Sequence, residues 1–177
     1  NMEVWVGPNV TSWRNGNLAK GNKRAALVVR SITFERSDLG TSERINQGIL
    51  RAGQFVNRYQ SFHNKGSMTL RQWQQQGSAF VNQKEGTVEV TELSNFGFES
   101  LDNEGQITLR GVIKGRIDQL QNRGKIRLES AAELIGIKLH NEGSFRALGL
   151  FDWRGQTVDN FGEMLIFDSH IFATRQI

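Results

Sequence analysis

Four residues with chemical potential stand at one recurring offset, immediately before an asparagine: His63, Asp102, His140 and Asp159. Two carboxylates could act as acid and nucleophile on a glycosidic bond. Two histidines could share a metal ion. A histidine beside an aspartate could serve as an oriented base. A second group is cationic: Arg110, Lys125, Arg127 and Arg146 lie in the half of the chain where basic residues collect. Between Arg110 and Lys138 there are seven cations and three acids, a surplus equal to the net charge of +4 of the whole chain. A basic stripe of this kind can hold an anionic ligand.

Whether these groups can meet depends on what positions them, and the asparagines decide that. Asn103, Asn122, Asn141 and Asn160 are 19 residues apart each time, and Asn46, Asn64 and Asn82 extend the series upstream at spacings of 18, 18 and 21. A fixed period with a fixed internal pattern is the signature of a repeat architecture. Two residues before each mark stands an apolar side chain: Phe62, Phe80, Leu101, Leu120, Leu139 and Val158, with Arg44 as the exception. A glycine follows the asparagine, and apolar residues then alternate, as in Ile107 and Leu109 or Ile126 and Leu128. Alternation with a period of two sends one set inward and leaves the other outside, the pattern of a strand. Sustained helical spacing is absent.

The expected fold is therefore all-β, a right-handed parallel β-helix (solenoid) of about seven coils with an 18–21 residue period. Leucine-rich repeats place their asparagine after the strand, and here it precedes the alternation. Asn103, Asn122, Asn141 and Asn160 are expected to form a ladder, each side chain bonded to its equivalents above and below. The glycine supplies either an unusual backbone conformation or room for a close approach.

This stacking limits the chemistry. Asp102 and Asp159 fall three coils apart, about 14 Å at a strand spacing of ~4.8 Å, beyond the reach of a glycosidase pair. His63 and His140 fall four coils apart, about 19 Å, too far for one ion. His140 and Asp159 are neighbours in the stack and can pair. The Asp-rich calcium repeat and the phosphate-loop signature are both missing. No catalytic residue, metal or cofactor is assigned. Phe55, Phe62, Phe80, Phe145 and Phe172 suit core packing better than a stacking platform. Outside, Glu104, Arg123 and Glu142 alternate in charge, while Arg127 and Arg146 stack like charges. With Arg110 and Lys125, these two form the candidate contact for an anionic ligand.

Composition agrees with the repeat. Cysteine is absent, proline occurs once and glycine 19 times, which suits continuous strands separated by tight turns. No apolar run approaches the ~18 residues of a membrane helix, and residues 1–30 lack the layout of a signal peptide. Neither nucleic-acid binding nor membrane insertion is expected.

The unit Leu-x-Asn-x-Gly-x-Ile-x-Leu, best seen from Leu101 to Ile166, resembles the repeats of filamentous haemagglutinin-type exoproteins, which include two-partner-secreted adhesins and contact-dependent inhibition stalks. The resemblance implies a secreted or cell-surface bacterial β-helix with a structural or adhesive, non-catalytic role. Implied partners are a host or neighbouring-cell receptor, or an anionic glycan. The chain is richer in Arg and Phe than typical members. The competing class is a glycan-active β-helix, either a polysaccharide lyase or hydrolase-like enzyme or a binding module. A lateral groove with clustered acids and arginines would favour it.

Residues 1–43 are expected to form irregular strands or a cap, and residues 44–177 the repeats. Val4–Val6 and Ala25–Phe34 have strand character, with turn signals at Asn15-Gly16-Asn17 and Lys20-Gly21-Asn22. Phe161, Phe167, Ile171 and Phe172 near the other end suggest an open apolar edge, covered by further repeats of a longer chain or by a partner subunit.

Overall fold

The computed structural model describes residues 2–6, 12–15, 26–35, 43–58 and 61–173. It shows an all-β solenoid of about seven turns. In chain order the strands are β1 (Glu3–Val6), β2 (Ser12–Asn15), β3 (Ala26–Phe34), β4 (Glu43–Asn46), β5 (Ile49–Arg58), β6 (Phe62–Asn64), β7 (Ser67–Asn82) and β8 (Thr87–Asn103). There follow β9 (Gln106–Leu109), β10 (Val112–Asn122), β11 (Lys125–Leu128), β12 (Ala132–Ile135), β13 (Lys138–Asn141), β14 (Ser144–Gly155), β15 (Thr157–Asn160) and β16 (Glu163–Ala173). Pairing is parallel throughout, as between β11 and β14, β10 and β13, or β12 and β14.

One coil contains three strand segments, and each stacks on its counterpart one coil away. From Asn122 these are β11, β12 and β13; in the coil that follows, β14 runs through the first two segments and β15 forms the third. The expected register holds. Leu101, Leu120, Leu139 and Val158 align in one inward column. Ile107, Ile126, Phe145 and Met164 align in another. Phe55, Phe62, Phe80 and Phe145 are core residues, as expected, with the rings of Phe62 and Phe80 stacked at 5.8 Å. The side chain of Phe172 lies outside the described residues.

The asparagine ladder is continuous. Asn103 Nδ2 donates to Asn122 Oδ1 at 2.8 Å, Asn122 to Asn141 at 2.7 Å, and Asn141 to Asn160 at 2.7 Å. Upstream it runs through Asn82, Asn64 and Asn46 to Asn15, which donates to Asn46 Oδ1 at 2.8 Å. Asn15 thus does more than mark a turn; Gly16, Asn17 and the Lys20-Gly21-Asn22 signal lie outside the described residues. Strands β1 and β3 continue the ladder of parallel pairs onto β5.

From Asn15 to Asn141 each ladder amide also donates to backbone, as from Asn103 to the Lys125 carbonyl at 3.1 Å. The glycine two residues on is required by close approach. A Cβ on Gly124 would stand 2.2 Å from the Gly105 carbonyl oxygen, and one on Gly143 would stand 2.1 Å from that of Gly124. Insertions are accommodated at the corners: the two extra residues after Asn82 form a turn closed by Gly86 N–H donating to the Gln83 carbonyl at 2.7 Å.

Arg44 breaks the apolar pattern without leaving the core. It occupies the inward position between Trp13 and Phe62. Its side chain is fully buried, its guanidinium nitrogens find no hydrogen-bond acceptor among the described residues, and its charge lies 5.8 Å from the centre of the Phe34 ring. Burial pushes its pKa below the ordinary arginine value, yet arginine stays charged in proteins.

Two stability predictions follow from the ladder and from this residue. Asn122→Ala removes one ladder bond on each side and leaves buried amide groups unmatched, so it should cost about 2–4 kcal/mol in urea denaturation, whereas Asn160→Ala at the exposed end should cost less than about 1. Equal losses would show that the ladder is not cooperative. Arg44→Leu should stabilise by about 1–4 kcal/mol, since an uncompensated buried ion gives way to apolar packing; a lower Tm would contradict that.

Candidate functional site

The four cations expected to contact an anion do share one face. Arg127 and Arg146 are register partners on β11 and β14, Lys125 stands two residues before Arg127, and Arg110 follows β9 at the adjoining corner. Stacked guanidinium groups repel, and the surface answers with acids. Arg110 donates from Nε to Glu89 and from Nη1 to Glu129, both at 2.8 Å. Arg127 donates to the other oxygen of Glu129 at 2.8 Å. Arg146 donates to Glu163 at 2.7 Å, and the Ser144 hydroxyl donates to the same carboxylate at 2.8 Å. Ser144 first, then Arg146, holds the Glu163 carboxyl below the usual glutamate range. Among the described residues Lys125 faces no carboxylate at ion-pair distance. The face is thus a lattice of charge pairs with one lysine to spare.

The column before the ladder lines up as expected: His63, Val81, Asp102, Gln121, His140 and Asp159 follow one another through successive coils. His140 Nδ1 lies 3.6 Å from Asp159, but Lys138 reaches the same carboxylate at 2.8 Å, and His140 Nε2 lies 3.0 Å from Glu142. Lys138 donates to Asp159 and, with help from His140, pulls its carboxyl below the usual aspartate range. A base would need that histidine free to face a substrate. Arg123 pairs with Asp102 at 2.8 Å and Glu104 at 3.1 Å. The expected alternation of Glu104, Arg123 and Glu142 therefore operates in its first half, while Glu142 turns to His140.

A cluster that the sequence reading passed over lies on the middle segment. Lys114, Glu133, Asp152 and His170 are register partners through four successive coils, on the outward side of β10, β12, β14 and β16. Beside them runs Arg116, Ile135, Arg154 and Phe172. Together the first three coils enclose a groove of about 410 Å³. Lys114 lies 3.6 Å from Glu133, Arg154 Nη2 donates to Asp152 at 2.8 Å, and Arg116 is hydrogen-bonded to Asp118. The signal was present: Lys114, Glu133 and Asp152 are 19 residues apart, the same period as the ladder. The aspartates alone do not reveal it, because Asp118, Asp152 and Asp168 share no coil position and the row instead mixes a lysine, a glutamate and an aspartate.

The depressed carboxyl groups of Asp159 and Glu163 give a pH dependence. A carboxyl whose folded pKa lies below its unfolded value adds stability above the unfolded value and loses it as pH falls through the folded one. Those reference values are 3.8 for Asp159 and 4.5 for Glu163, so the contribution should vanish on acidification below them. The Tm of the wild type should fall more steeply between about pH 5 and pH 3 than that of an Asp159→Asn, Glu163→Gln variant; parallel curves would show that these pairs do not matter. Comparison of the chain with family models, with curated proteins and with solved structures returned no match.

Proposed function

We propose that this chain is a structural and adhesive stretch of β-helix in a secreted or surface-exposed bacterial exoprotein of the filamentous haemagglutinin type, with no reaction of its own. The observation that carries this reading is the ladder, eight asparagines long from Asn15 to Asn160. It serves extension and rigidity, and a stiff repeat is what a stalk or an adhesin presents to a neighbouring cell.

The face carrying Arg110, Lys125, Arg127 and Arg146 is the proposed contact for an anionic glycan. Its acids restrain it, so binding should be weak and sensitive to salt. Retention of the chain on immobilised heparin should be lost in an Arg127→Glu, Arg146→Glu double variant that keeps its wild-type circular dichroism. Undiminished retention would remove the anionic-glycan part of the proposal. The second reading, a glycan-active β-helix, is favoured by the groove between Lys114 and Arg154, where acids and arginines do cluster on one lateral face.

A further inference from the structure

We infer that the groove on the middle segment is a binding site for a neutral glycan, laid along the solenoid axis across the coils of Lys114, Glu133 and Asp152. This rests on the glycan-contacting reading and gives that second reading a ligand class, but it concerns a different face from the heparin test.

The groove exists because the backbone gives up side chains at one end. Gly97 is the register partner of Arg116, and a Cβ there would touch nothing within 4 Å. Gly115 has a φ of 131°, a conformation open to glycine, and a Cβ on it would stand 1.9 Å from the Phe96 carbonyl oxygen. Gly97 thus carries no side chain where there is space for one, and Gly115 is held to glycine by its conformation and by that contact. The walls are built from register: successive coils lie ~4.8 Å apart, so three coils give a trough about 10 Å long between outer rows.

The chemistry of the walls selects the ligand. Lys114, Arg116 and Arg154 are matched by Glu133, Asp118 and Asp152. A balanced set offers no net attraction to a polyanion or to a polycation, in contrast to the cationic half of the chain. What it offers is an array of fixed hydrogen-bond donors and acceptors, charge-assisted and therefore strong toward hydroxyl groups. Asp152 is only 8% exposed, with Arg154 reaching both of its carboxylate oxygens. Ile135 lies between the two arginines of its row and is 54% exposed, an apolar surface open to solvent. Polar groups that fix orientation beside an apolar contact are the general make-up of a small-molecule site, and a pyranose ring has both hydroxyl edges and a C–H face. Ion pairs at a surface are worth about 0–1 kcal/mol, so fold stability gives little reason for enclosing Asp152 or leaving Ile135 bare.

Binding alone is inferred: Glu133 and Asp152 are register partners, Lys114 lies 3.6 Å from the first and Arg154 donates to the second at 2.8 Å.

The test is saturation-transfer NMR of the full chain with maltohexaose, cellohexaose, mannohexaose and chitohexaose, beside hexagalacturonate and a heparin hexasaccharide. At least one neutral hexasaccharide should bind, and Asp152→Asn and Arg116→Ala should each weaken it tenfold or more. Ile135→Ser, an exposed change that adds no charge beside Arg116 and Arg154, should do the same and covers the case in which Asp152→Asn fails to fold. The Arg127→Glu, Arg146→Glu variant should keep full affinity for the neutral sugar. Silence from all four neutral probes would overturn the inference, as would binding indifferent to Ile135→Ser. Binding of the acidic probes alone, lost with Arg127 and Arg146, would also overturn it while leaving the cationic face standing.

Discussion

The amide ladder is the interaction on which the rest of this molecule depends. A carboxamide is both donor and acceptor, so one asparagine per coil can be satisfied from both sides only if the next coil supplies another at the same height and the same corner. The glycines make the constraint tighter, because a carbonyl of the previous coil occupies the space where a Cβ would be. Two requirements at one corner, a side chain that must be Asn and a neighbour that must have none, fix the phase of every coil. The remaining columns inherit their alignment from that phase. Inserted residues leave both requirements in place: two form the turn between Asn82 and Gly86 without displacing either, and one lies where β7 and β8 shift register after Leu70.

A fixed phase has consequences outside as well as inside. Equivalent outward residues come to lie one strand spacing apart, so a repeat that copies its own sequence would stack like charges into repelling rows. Here the rows vary from coil to coil. Thr108 is followed by Arg127, Arg146 and Leu165, and the arginines lean to acids at neighbouring positions. The surface is thus a set of local solutions to a repulsion that the ladder imposes. It differs in kind from the interior, where columns such as Leu101 to Val158 repeat one theme.

That difference explains what the sequence makes legible. The ladder, the glycine corner and the inward columns recur with a period, and recurrence is visible without coordinates. Pair partners do not recur: nothing in the string says that Glu142 turns to His140 and leaves Arg123 to Asp102. Asn15 was hidden because its interval of 31 residues breaks the period. Arg44 was visible as an exception, but its burial was not, since an arginine at an inward position could as well have marked a distorted coil. The row from Lys114 to His170 shows a different cause. Its first three members keep the 19-residue period, yet the middle segment has no asparagine to anchor the eye, and its corners vary in length.

Where function can reside follows from the same division. A coil interior held by close-packed columns and an obligate Asn–Gly corner has little freedom to acquire chemistry, so selection for binding must act on outward positions of the straight segments. Those positions come in rows of known spacing, which makes the solenoid suited to extended ligands over compact ones. A ligand that itself repeats along an axis can meet several coils at once, each contact weak and their sum specific. The cationic face and the Lys114–Arg154 groove are the two proposed uses of that one geometry, and they differ in charge. The first retains a spare lysine, whereas the second has matched its cations and acids pair by pair. On the proposed reading a polyanion would be drawn to the first by net attraction, and in the second a partner that both accepts and donates hydrogen bonds would gain by displacing water.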